Sequence, residues 1–144
     1  MKKPCLTGLF VVASMTMAIT AAAAADLTVT LTGIRSQDGR IMVAVYDRAD
    51  TFMKLGQAIA ALDLAARGDE ITVVLADVKP GAYAVSAYHD ENSNGELDSN
   101  LIGVPTEGYG FSNDASGAFG PPSFDGAAVR TADGRAVATV TLGY

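Results

Sequence analysis

Cysteine is all but missing from this sequence: the single one is Cys5, and no other follows it in 144 residues. That excludes a disulfide-stapled scaffold, a cysteine-ligated zinc site and a cysteine nucleophile in the body of the chain. Histidine is equally scarce, with His89 alone, whereas zinc sites usually recruit several His or Cys side chains. No serine sits in a nucleophile-elbow pattern. Basic residues are few, 10 Lys and Arg against 16 Asp and Glu, for a formal charge of −6. Such an acidic chain makes a poor partner for nucleic acid or an anionic lipid surface. After the first 25 residues no apolar run is long enough to span a bilayer, and neither an internal repeat nor a second domain is visible.

Residues 1–25 read as a signal peptide. Lys2 and Lys3 start it, an apolar stretch runs from Leu6 to Ile19, and Ala23-Ala24-Ala25 supplies the small-residue cleavage pattern. Cleavage is expected after Ala25, with export to the periplasm or beyond the cell. Cys5 precedes the apolar stretch, so it is not placed as a lipoprotein cysteine and leaves with the signal. The remainder, residues 26–144, suffices for one domain with one core. Loss of Lys2 and Lys3 leaves it 8 basic residues against 16 acidic ones.

Along that domain the hydrophobic pattern has period two. Leu27, Val29 and Leu31 alternate with Thr28, Thr30 and Thr32, predicting a strand from Leu27 to Ile34 with one apolar and one threonine-rich face. Ser36-Gln37-Asp38-Gly39 is a turn, and Asp-Gly is a hairpin signal. Arg40–Tyr46 is apolar enough for a central strand. A loop with Phe52 and Met53 follows, and Ala58–Ala66 fits either helix or strand. Ile71–Val78 and Ala82–His89 are strands around Lys79-Pro80-Gly81. Residues 92–126 have little periodicity and much Gly, Asn, Ser and Pro, a long loop of the kind that often serves function. Ala127–Thr131 and Ala136–Leu142 are expected to form a last hairpin. The fold class is all-β: a single antiparallel β-sandwich of about seven strands with one long loop.

The densest chemistry lies at His89-Asp90-Glu91-Asn92-Ser93-Asn94-Gly95-Glu96-Leu97-Asp98. Asp90, Asn92 and Asn94 fill positions 1, 3 and 5 of a calcium-loop pattern, and Gly95 takes position 6, where the chain must turn sharply. Position 12 is Leu101 rather than a bidentate Glu, and neither flank reads as an amphipathic helix, so a helix–loop–helix EF-hand is not expected. Ca2+ would take the side chains of Asp90, Asn92, Asn94 and Asp98 and the Glu96 carbonyl, with Glu107 the best extra carboxylate if the next loop folds back. Mg2+ fits less well because it keeps its waters. The competing reading is an Asx-rich turn held by its own backbone bonds. His89, on the face of Tyr83, Val85 and Ala87, is expected to be a hydrogen-bonded structural residue. Tyr109 and Phe111, between Gly108 and Gly110, are candidates for contact with a glycan, peptide or envelope protein, Phe111 rather as a plug of the sandwich end. Phe119, Pro121, Pro122 and Phe124 read as a strap over that end.

Several of these segments together resemble an exported bacterial family catalogued as domain of unknown function 2141. They are Gly39–Asp47, Pro80–Val85, His89–Asp98, Gly103–Asn113, Pro121–Phe124 and Ala127-Ala128. The resemblance implies a prealbumin-like or immunoglobulin-like sandwich and no particular activity. The order of strand, Pro-Gly-x-Tyr, strand and Asp-x-Asn-x-Asn-Gly also looks like carboxypeptidase regulatory domains and collagen-adhesin repeats, which are mostly accessory modules. The functional expectation is therefore an exported, non-catalytic envelope binding or structural module. The alternative is a small envelope hydrolase acting through Glu107, Asp98 or His89, which would need paired carboxylates across a cleft.

Overall fold

A computed structural model describes residues 24–144 apart from Leu55, Ala132 and Asp133. The signal peptide expected over residues 1–25 thus falls, up to residue 23, outside the described residues. Ala25 is buried and opens the first strand, opposite Val78.

Eight strands and one short helix follow in order: β1 (Ala25–Thr32), β2 (Arg40–Tyr46), β3 (Ala60–Ala65), β4 (Glu70–Val78), β5 (Ala82–Asp90), β6 (Tyr109–Phe111), α1 (Phe124–Ala127), β7 (Val129–Arg130) and β8 (Arg135–Thr141). They form a three-stranded sheet, β4-β1-β8, and a five-stranded sheet, β3-β2-β5-β6 with β7 on β5. Pairing is antiparallel except between β1 and β8, which run parallel.

Alternation explains the core. Leu27, Val29 and Leu31 of β1 and Ala136, Ala138 and Val140 of β8 face Ile41, Val43 and Val45 of β2 and Tyr83, Val85 and Ala87 of β5 in one buried cluster. Ala60–Ala65, open between helix and strand in sequence, is a strand because Ala60, Leu62 and Leu64 half-bury against that cluster while Ala61, Asp63 and Ala65 face outward. β2 is central to its sheet, as its apolar composition suggests.

Three expectations are corrected. The residues after Thr131 do not close a hairpin: β7 pairs with β5, whereas β8 crosses to the other sheet and pairs with β1. The hydrogen bond from Gly81 N–H to Thr131 Oγ1, 2.8 Å, holds the end of β7 to the five-stranded sheet. The Asp38-Gly39 turn likewise links two sheets instead of two neighbouring strands. The segment 92–126 is not structureless. It contains β6, the bridge Ser99–Pro105 and the start of α1, which raises the strand count to eight.

Of the strap, Phe124 packs into a second, smaller core on the outer side of the five-stranded sheet, whereas Phe119 and Pro121 stand exposed and do not hold it down. Ala84, Phe111 and Ala127 are buried there beneath Phe52 and Phe124. Phe52 meets Tyr46, Phe111 and Phe124 edge to face at centroid distances of 5.4, 6.3 and 5.9 Å, a favoured aromatic geometry. Ser112, fully buried, accepts from Val85 N–H at 2.8 Å and donates to the Ala127 carbonyl, so the strap is bonded to β5 as well as packed on it.

Candidate functional site

The end of β5 feeds directly into the acidic loop. The Asp90 carboxylate is buried and accepts Asn94 N–H at 3.0 Å and Gly95 N–H at 2.8 Å. Gly95 has φ +83°, a left-handed conformation that costs glycine nothing, at the turn position assigned from sequence. Asn92 Oδ1 accepts Asn94 N–H and Asn94 Oδ1 accepts Glu96 N–H, two successive Asx turns. Their amide groups donate to Asp98, at 2.6 Å from Asn92 and 3.0 Å from Asn94.

Glu107 does fold back. Its buried carboxylate accepts Glu91 N–H at 2.9 Å through one oxygen and Asp98 N–H at 3.0 Å through the other. One carboxylate therefore closes both ends of the loop. The structure brings Asp90, Asn92, Asn94, Asp98 and Glu107 into one bonded unit, while the Glu96 side chain points to solvent. Among the described residues, no group of three or more His, Cys, Asp or Glu side chains is spaced to hold a metal ion.

His89 anchors the loop from beneath. It is completely buried, with Nε2 2.7 Å from the Asp38 carbonyl and Nδ1 2.7 Å from the Tyr144 hydroxyl. A carbonyl can only accept, so Nε2 carries a proton. Tyr144 packs edge-on against His89, lies beneath the Arg35 guanidinium at 4.1 Å and covers Gly108. A Cβ on Gly108 would come within 2.3 Å of that ring, so any larger residue would displace Tyr144. Burial pushes the Tyr144 phenol up, and the bond to Arg35 holds the Glu91 carboxyl below its usual range. These contacts leave His89 and Glu107 engaged with their own neighbours.

Two grooves lie beside this region. One, of about 600 Å³, follows the β6 edge past Tyr109, Phe111, Asp114, Thr141 and Tyr144. Tyr109 is exposed there and Phe111 is buried. The other, of about 550 Å³, lies on the outer face of β3-β2-β5. Register explains it: Ala44 of β2 stands opposite Ala61 of β3 and Ser86 of β5, a row of small side chains that makes a floor. Met42, Tyr46, Met53, Tyr88 and Leu97 rise around it. The strap covers one end of this sheet face, and the groove is the end left open. Neither groove is lined by His89, Asp98 or Glu107.

The groove residues were not picked out from sequence, although one signal was present. Beyond Arg40, the outward face of β2 is Met42, Ala44 and Tyr46, with no charge, and an outward strand face is usually polar when solvent covers it.

A family model described as "Uncharacterized protein conserved in bacteria (DUF2141)" matches residues 29–139, the whole span from β1 into β8. No curated protein and no solved structure matches the chain.

Proposed function

The chain belongs to this bacterial family, and from that premise we propose an exported, non-catalytic binding module of the cell envelope, built as an immunoglobulin-like or prealbumin-like sandwich. One observation supports it above others: the five-stranded sheet presents a largely apolar groove, floored by small residues and walled by methionines and tyrosines, with carboxylates only at Asp63, which pairs with Arg40, and at Glu96. Binding sites have this character, apolar with few polar groups, and methionine adapts its shape to what it meets. The partner is an envelope protein or glycan. The Asx-bonded loop fixes the groove's rim, since Gly95, Glu96 and Leu97 line it and Tyr88 donates to the Gly95 carbonyl at 3.0 Å.

Ala44→Arg tests this reading, because it fills the floor from a half-exposed position without touching the core. The wild type should retain an envelope component on an affinity matrix, and the variant should lose at least nine-tenths of it. Equal retention by both proteins, or none by either, would sink the assignment.

The second reading is a Ca2+-stabilised loop. Asp90, Asn92, Asn94 and Asp98 are linked in one hydrogen-bonded loop, so the oxygen-bearing side chains of the calcium pattern are gathered together. Ca2+ in large excess over its Kd, about 100-fold, should then stabilise the fold by about 2.7 kcal/mol, a rise in melting temperature of very roughly 5–15 °C. An Asp90→Ala, Asn94→Ala double variant should show no rise. Identical wild-type melts in EDTA and in millimolar Ca2+ would leave the loop held by its own hydrogen bonds alone, the Asx turns and the Asp90 and Glu107 carboxylates.

A further inference from the structure

We propose that this protein pairs with a second copy of itself through the turn Ser99–Pro105, whose Leu101 and Ile102 side chains enter the partner copy's groove on β3-β2-β5. The proposal rests on the binding role given above to that groove.

The turn is the most exposed apolar feature among the described residues. Leu101 is 106% and Ile102 84% exposed, with Val104 half-exposed behind them. It is also firmly built. Asn100 Oδ1 accepts Ile102 N–H at 3.1 Å and Val104 N–H at 3.0 Å, Asn100 N–H donates to the Val104 carbonyl at 2.8 Å, and Ser99 bridges Pro105. Two neighbouring aliphatic side chains are thus held in water with no means of folding back. Fixed apolar surface of this kind marks an interaction site.

Charge and shape point to the same chain as the occupant. Between Ser99 and Thr106 there is no ionisable side chain, in a protein with a net charge of −6. The groove carries carboxylates at Asp63 and Glu96, so it would repel the acidic surface elsewhere on a second copy but admits this uncharged turn. The groove has the complementary form, with small residues at its floor and deformable methionines at its sides, and its 550 Å³ has room for two branched aliphatic groups.

Position decides the symmetry. Leu97 is part of the groove wall and Ser99 begins the turn, so the knob stands at the rim of its own groove. A two-fold axis beside that rim seats each knob in the opposite groove and closes the assembly as a dimer, the commonest oligomer. Doubling also matters for area, because a single knob covers far less than the about 800 Å² per partner of a stable interface.

The test is light-scattering mass after size exclusion, over a range of concentrations. The wild type should run as a dimer, and Leu101→Asp or Ala44→Arg alone should weaken pairing at least tenfold. Leu101 is fully exposed, so its variant should fold with the wild-type circular-dichroism spectrum. Mixing the two variants restores one intact knob-and-groove contact, from the Ala44→Arg turn into the Leu101→Asp groove, and should recover part of the dimer. A wild type that is monomeric throughout, or a dimer that both variants retain, overturns the proposal. A monomeric wild type that takes up an apolar dye lost in Ala44→Arg overturns self-pairing while the groove's binding role stands. A monomeric wild type that sediments with phosphatidylcholine vesicles, unlike Leu101→Asp, also overturns it and assigns the turn to lipid.

Discussion

Replacing His89 by alanine should destabilise the protein by about 3–4 kcal/mol, the largest effect of any single change at the candidate site. Two costs add. Removing a fully buried ring leaves a cavity that the neighbouring strands cannot fill, in the range of large-to-small core substitutions. The Asp38 carbonyl and the Tyr144 hydroxyl also lose a hydrogen bond each, at about 0.5–1.5 kcal/mol apiece. His89→Phe separates the two, since it keeps the volume and loses only the bonds, and should cost about 2 kcal/mol. Urea denaturation of His89→Phe, Tyr144→Phe and the double variant would give a coupling of about 1 kcal/mol for the shared bond. A His89→Phe protein as stable as the wild type would mean that the ring acts only by filling space.

Glu107→Ala should cost about 2–3 kcal/mol, because two backbone N–H groups at opposite ends of the acidic loop lose one acceptor at the same time. At this size of domain that lowers the melting temperature by roughly 10 °C. The damage should be local first. Hydrogen exchange at Glu91 and Asp98 should rise well before exchange in β2 or β5, since loops open at lower free energy than core strands. Glu107→Gln should lie between, as its amide oxygen serves one N–H and its amide nitrogen faces the other. Unchanged exchange at both positions in Glu107→Ala would show that the Asx turns hold the loop unaided.

The strands and the loop were legible in the sequence because both are written in short-range pattern. Alternation at Leu27, Val29 and Leu31 assigns faces, and Asp-x-Asn-x-Asn-Gly can be read within ten residues. The return of Glu107 was legible too, because a carboxylate followed by glycines suits a chain that doubles back. Alternation says nothing about which strand lies beside which. The parallel pairing of β1 with β8 and the separate destinations of β7 and β8 therefore escaped it. The groove escaped it for the same reason: Ala61, Ala44 and Ser86 become a floor only when three strands come into register. Arg35 and Tyr144 reach the site from 55 or more positions away, and no local signal ties them to Glu91 or His89.

The parallel strand pair also sets the tempo of folding. β1, the first strand in chain order, lies between β4 and β8, and its Thr32 hydroxyl meets that of Thr141 across 109 positions of sequence. Contacts of such long range require an entropically costly loop to close before they return any energy, and topologies rich in them fold in milliseconds to seconds rather than microseconds. Until β8 is available, one edge of β1 stays open, with unpaired backbone groups that could template association with another chain. The inner face of β8 supplies Ala136, Ala138 and Val140 to the core, so the core stays incomplete for just as long. The molecule's exposure to misassembly is therefore concentrated in the interval before its final strand docks.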